Sequence, residues 1–131
     1  MARRGGAAEV VTIFWRDIPA QVNGQAGRQR HQVLLSAKFQ RAIDRAKRKA
    51  KIYTAEEDVA QWHRVSAPCA HPDAVASAAE AEAARLEASY SHEYLGRLAY
   101  AGGFVADLDD GADVDRKGLR ALEELDEGEE R

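Results

Sequence analysis

The chain predicts an α+β domain in two layers, an antiparallel hairpin plus a third strand packed against two main helices, with a flexible acidic C-terminal tail. Three observations carry that expectation. Val10-Val11-Thr12-Ile13-Phe14-Trp15 is a dense β-branched and aromatic run, the composition of a strand packed on at least one face. Apolar residues over 37–50 and again over 75–90 recur at three- and four-residue spacing, the period of an amphipathic helix. Finally, 131 residues with 45% hydrophobic and 31% charged side chains suffice for one core and not for two.

The elements follow in order. Residues 1–8, rich in Gly, Ala and Arg, have nothing to hold them and are expected to be a disordered basic N-terminus; residues 9–104 form the single domain; residues 105–131 form the acidic tail. Pro19 cannot donate to a β-ladder, so the continuation Ala20-Gln21-Val22 belongs on an edge or after a bulge. Turn-forming residues at 23–27 precede a return strand over 29–35, completing the hairpin. Ser36 is placed to cap a basic helix over 37–49 with Phe39, Ala42, Ile43, Ala46 and Ala50 inward. Thr54-Ala55-Glu56-Glu57 has capping-box spacing and opens a short helix. Residues 61–66 alternate and predict the third strand, with Trp62 and Val65 as core candidates and Pro68 as its stop. Asp73 is placed to cap an alanine-rich helix to Tyr90 with the stripe Val75, Ala79, Ala83, Leu86 and Tyr90. A continuation over 91–98 ends at Gly102-Gly103, and residues 119–125 can form one marginal helix.

Composition narrows the function classes. No apolar run approaches the roughly 20 residues of a membrane helix, and Glu9 interrupts any signal-peptide core after Met1-Ala2-Arg3-Arg4. With one cysteine, Cys69, no intramolecular disulfide forms, and a reducing cytoplasm suits the chain. The net charge of −3 hides a division: residues 1–51 carry 12 Lys and Arg against 3 acidic residues, and the remainder carries 7 against 19. Such asymmetry marks nucleic-acid or anionic-surface binding, or two faces attracting within one fold. Stacking aromatics are not interleaved with the basic residues, which counts against single-strand binding.

Candidate sites are few. His63, Cys69 and His71, with His31 or His92, resemble metal ligands only in type; their spacing matches no zinc pattern, and no metal site is assigned. Cys69 beside a helix start and two histidines is an unspecific nucleophile candidate. Asp107-Leu108-Asp109-Asp110-Gly111 with Asp113 has a calcium-loop flavour, but position twelve falls on Gly118 where an EF-hand needs Glu. No phosphate-binding glycine loop and no catalytic triad is evident, so no catalytic residue and no cofactor is assigned. The basic face Arg41, Arg45, Lys47, Arg48, Lys49 and Lys51 is explained largely as a solvated face whose cations suit the helix C-terminus. The most distinctive segment is Trp15-Arg16-Asp17-Ile18-Pro19-Ala20-Gln21-Val22, either a proline-protected strand or an exposed edge that docks a partner.

Ile13-Phe14-Trp15-Arg16-Asp17-Ile18-Pro19-Ala20-Gln21-Val22, Phe39-Gln40-Arg41-Ala42-Ile43-Asp44-Arg45-Ala46 and Gln61-Trp62-His63-Arg64 resemble the bacterial "virulence factor" domain family, which includes the domain of conserved virulence factor C. The likeness spans about residues 10–90 and carries no catalytic residue across. The resemblance implies a small accessory subunit for a corrinoid-dependent methyltransferase or folate-linked one-carbon system. The expectation is a non-enzymatic cytoplasmic adaptor that binds a larger, methyltransferase-type protein through Trp15, Arg16, Asp17, Pro19 and Gln21 and through Arg41, Arg45 and Arg48. The alternative is nucleic-acid binding through the basic helix 37–51.

Overall fold

The computed structural model describes residues 8–108. The basic N-terminus up to residue 7, the acidic run after Leu108 and the marginal helix over 119–125 lie outside the described residues. Four strands, β1 (Ala8–Trp15), β2 (Ile18–Ala26), β3 (Gln29–Leu34) and β4 (Trp62–Pro68), form one antiparallel sheet in the order β3-β2-β1-β4. Four helices accompany it: α1 (Ala37–Ala50), α2 (Ala55–Val59), α3 (Val75–Ser89) and α4 (His92–Tyr100).

The α+β class holds, with one strand more than expected. The run 10–22 is itself a hairpin, because Arg16 takes a left-handed φ of 53° and turns the chain so that Trp15 faces Ile18. The register slips between Ile13, opposite Gln21, and Phe14, opposite Pro19, leaving Ala20 as the extra residue of a bulge. Pro19 therefore follows the bulge half of the expectation and not the edge half: β2 lies inside the sheet, and the edges are β3 and β4. The second turn sits at Gly27 and Arg28, where the Gly27 φ of +60° suits glycine, so of the turn expected at 23–27 only the last residue turns and the first four continue β2.

Three apolar clusters follow one another along the strands. At the end where β1 and β3 finish and β2 and β4 begin, Trp15 and Ile18 pack with Phe39, Ala42, Ile43 and Ala46 of α1 and Leu95, Leu98 and Ala99 of α4. In the middle, Val22 meets Ala79, Ala83 and Leu86 of α3, flanked by Val10 and Val33. At the far end, Ala8, Ala26 and Val75 close the layer. Gly24 is needed there because a Cβ would lie 2.5 Å from the Val75 carbonyl oxygen. The predicted stripe of α3 is buried at Val75, Ala79, Ala83 and Leu86, and its small alanines let the helix sit close on the sheet.

Two expected caps work otherwise. Ser36 precedes α1 without capping it; its amide and hydroxyl both donate to the Glu87 carboxylate, at 2.6 and 2.8 Å, and join α1 to the end of α3. Asp73 lies within a 3-10 turn (Pro72–Ala74), and Ala74 precedes α3 instead. The capping box on α2 is present, with the Thr54 hydroxyl accepting from the Glu57 amide and the Glu57 carboxylate accepting from the Thr54 amide.

Candidate protein-binding surface

The distinctive Trp15-to-Ile18 segment is internal wiring. Trp15 is fully buried and its indole N–H donates to Asp58 of α2 at 2.8 Å. Asp58 also accepts from Trp62 at 3.4 Å and pairs with Lys47 of α1 at 2.9 Å, with the Lys47 ammonium about 6 Å from both indole rings. Burial pushes the Asp58 carboxyl up, but the bonds from Lys47, Trp15 and Trp62 outweigh it and hold the group below its ordinary value.

Arg16 is equally engaged. Its Nε donates to the Gln61 side chain at 2.9 Å, its Nη1 to the Gly102 carbonyl at 2.8 Å, and its guanidinium lies 4.4 Å from the Phe104 ring centre and 5.1 Å from that of Trp15. Burial lowers its pKa, with Asp107 opposing. The Asp17 amide donates to Gly103, and its carboxylate accepts from the Val105 amide at 2.7 Å. Turn β1–β2, turn α2–β4 and the loop after α4 are thus tied through one pair of charged residues. Gly103, at φ +97°, lies so close that a Cβ would sit 2.9 Å from Trp15 Cζ3.

The sequence-predicted contact residues therefore divide. Trp15 and Pro19 are sealed inside the chain, so neither is a docking side chain; Arg16 and Asp17 are half-buried and spent on internal bonds. Gln21 is half-buried on β2 and donates to Asn23 at 3.3 Å. Arg41, Arg45 and Arg48 line, with Asp44, a shallow depression of about 150 Å³ on the outer face of α1. His63 stacks on Phe14 at 5.4 Å near the start of β4, while Cys69 follows the end of that strand and donates its thiol to the His71 carbonyl. Six residue steps of extended chain, about 20 Å, separate His63 from Cys69, so this trio does not converge. His31 pairs with Glu80 at 2.9 Å, and no group of three or more metal-type ligands occurs among the described residues.

A different surface stands out. Residues Val10, Thr12 and Phe14 of β1 and Val65, Ala67 and Pro68 at β4 floor an open groove of about 410 Å³, and Ala78, Glu82, Arg85 and Leu86 of α3 with Tyr90 form its wall. It exists because α3 packs chiefly over β2 and β3 and only partly over β1, so that no described helix lies over the same sheet face at β4. Val65, expected in the core, is 52% exposed on this floor because β4 is the edge strand. Thr12 is only 7% exposed and the one buried polar side chain among the described residues, and its hydroxyl has no hydrogen-bond partner among them. Glu82 and Arg85 pair on the rim, and burial, with Tyr94 and Asp17 adding to it, raises the Tyr90 phenol above its ordinary value, so it stays neutral. An apolar floor with a few polar rim groups is the composition of a peptide-docking surface.

Sequence reasoning missed this groove because its residues carry no motif: the signal was only the polar flanking of Val65 and the shortness of the apolar alternation in residues 61–66. No curated protein and no solved structure matches the chain. A family model described as "Virulence factor" matches residues 13–99, which takes in the Trp15–Asp58 cluster, the groove apart from Val10 and Thr12, and all of α4 except its last residue. With two thirds of its length matched, the chain belongs to the virulence factor family.

Proposed function

We propose that the chain is a non-enzymatic accessory protein that binds a larger protein partner by accepting an amphipathic helix of that partner in the groove between α3 and β4. The observation that carries this reading is the uncovered sheet face over β1 and β4, apolar at Val10, Phe14, Val65 and Ala67 and walled by α3. A sheet face of this kind is ordinarily covered by a second layer. The floor from Val10 to Phe14 runs for about 13 Å, room for some two and a half helical turns beside α3. A helix suits it better than an added strand, since Arg64 and Pro68 guard the free edge of β4. That the partner is a methyltransferase-type enzyme of one-carbon metabolism rests on the family resemblance alone.

The test is a native pull-down with tagged wild-type protein and the Val65→Glu variant in parallel. A protein enriched by the wild type and lost, by about tenfold or more, from the variant supports the reading. Identical recovery with both, or nothing above background, refutes it. A second reading, nucleic-acid binding through helix 37–51, draws on the Arg41, Arg45 and Arg48 row. It requires a gel shift at low ionic strength that weakens steeply with salt, and absence of any shift removes it.

A further inference from the structure

We propose, resting on the helix-docking reading of the α3–β4 groove, that Thr12 sets its specificity: the partner helix answers Thr12 with one uncharged hydrogen-bonding side chain, Ser, Thr, Asn or Gln, between two apolar anchors. Thr12 is only 7% exposed, yet its hydroxyl, able both to donate and to accept, bonds to no described residue. The sheet registers explain why. Val22 lies beside it on β2 and Val65 on β4, while Val10 and Phe14 precede and follow it along the same face of β1. None of these four side chains can give or take a hydrogen bond. A buried hydroxyl without a partner is uncommon, because it forfeits its bonds to water and gains none in return. A valine of similar shape would fill the place without that cost. The hydroxyl does meet one opening, since Thr12 lines the groove midway along its floor.

Charge and spacing select the chemistry of the occupant. The charged groups of the groove wall, Glu82 and Arg85, pair with each other, and burial keeps the Tyr90 phenol neutral. The described lining therefore offers no unpaired charge to a charged side chain, which would lose its hydration on entry. Val10, Thr12 and Phe14 recur at about 6.7 Å along the strand, and residues four apart on a helix advance about 6 Å. A helix lying along β1 meets the three in turn with its positions i, i+4 and i+8. The outer two face Val10 and Phe14 and are apolar; the middle one faces the Thr12 hydroxyl. A wholly apolar helix would seal that hydroxyl from water with nothing to bond, and this cost discriminates against it. Val10, Phe14 and Val65 supply apolar contact to any helix that fits, whereas Thr12 tells one such helix from another.

A phage-displayed library of helix-forming peptides about 14 residues long, selected in parallel on the full-length wild type, Thr12→Val and Val65→Glu proteins, tests it. Peptides enriched on the wild type should carry Ser, Thr, Asn or Gln at the middle of three groove-facing positions spaced by four, with apolar residues at the outer two. Synthesised singly, they should bind Thr12→Val about tenfold or more weakly than the wild type, and Thr12→Ser, which keeps the hydroxyl, within about threefold of it. Thr12→Val should also unfold at a denaturant midpoint equal to or above that of the wild type, because it removes a buried hydroxyl that has no partner. A lower midpoint, the mark of a hydroxyl already bonded within the chain, would overturn the proposal. So would peptides that are lost on Val65→Glu yet are wholly apolar at the three positions, or that bind wild type and Thr12→Val equally; the groove would then still dock a helix. Peptides indifferent to Val65→Glu, or no enrichment on the wild type, would overturn helix docking in the groove and the role of Thr12 with it.

Discussion

The β1–β2 turn and the groove over β1 and β4 share a strand, yet they treat their side chains in opposite ways. At the turn, Trp15, Arg16 and Asp17 each spend their polar groups on partners 43 to 88 residues away, and aromatic and glycine surfaces close around them. Along the groove, Val10, Phe14 and Val65 present apolar surface beside a rim of Glu82 and Arg85, and no described element is laid across it. The comparison teaches that the most recognisable residues of this chain hold the fold, while the open groove is made of residues with no signature. A motif of Trp, Arg and Asp draws attention because few other residue types could make those bonds. Valine and alanine on an edge strand draw none.

If the turn is the structural anchor, Trp15→Ala should produce the largest loss. It leaves a cavity among Ile18, Phe39, Ile43 and Leu98 and strands Asp58 without one donor. A drop in unfolding free energy of about 3–5 kcal/mol is expected from denaturant titration followed by circular dichroism. A change near zero would mean that the turn is not what holds the sheet end to α1 and α4.

Gly103→Ala and Gly27→Ala sharpen the same point. Both glycines have positive φ, but a Cβ on Gly103 meets Trp15 at 2.9 Å, whereas a Cβ on Gly27 meets nothing within 4 Å. The first should cost about 2–3 kcal/mol and the second about 1 kcal/mol, the difference being steric overlap added to backbone strain. Equal losses would show that the loop after α4 gives way freely.

Asp58→Ala comes next, at about 1–3 kcal/mol, since it removes the acceptor shared by two indoles and the partner of Lys47. Because the folded-state carboxyl lies below its ordinary value, its contribution is present in full above the unfolded pKa and is lost as pH falls through the folded one. The stability gap between wild type and variant should therefore narrow as pH drops below about 4. A gap of constant size from pH 6 to pH 3 would assign the effect to packing alone.

What the residues disclosed beforehand, and what they did not, follows the same division. The inner stripes of α1 and α3, the Thr54 capping box and the Gly102-Gly103 stop were legible because each depends on local periodicity or a local bond. The reversal at Arg16-Asp17 was not, because a left-handed arginine is unusual and is held by Gln61 and Gly102, residues remote in sequence. Ser36 and Asp73 looked like caps for the same local reason, yet the long-range pull of Glu87 and the 3-10 turn at Pro72 decided otherwise. Strand order could not be read at all. It alone determines that β2 is interior, that Pro19 is buried in a bulge, and that Val65 lies on an uncovered margin.

Val65→Glu should have the smallest effect on stability and is the most informative about the groove. At 52% exposure on an edge strand, the side chain contributes little apolar burial, and a carboxylate there remains hydrated near Arg85 on the opposite wall. The expected change is within about 0.5 kcal/mol, checked by the same denaturant titration used for Trp15→Ala. The β4 pairing would persist, since its ladder to β1 is formed by backbone groups from Glu9 opposite Pro68 to Trp15 opposite Trp62. A loss of 2 kcal/mol or more, well outside that range, would mean that Val65 is already covered within the monomer. The groove would then be part of the core, and the contrast with the Arg16 turn would disappear.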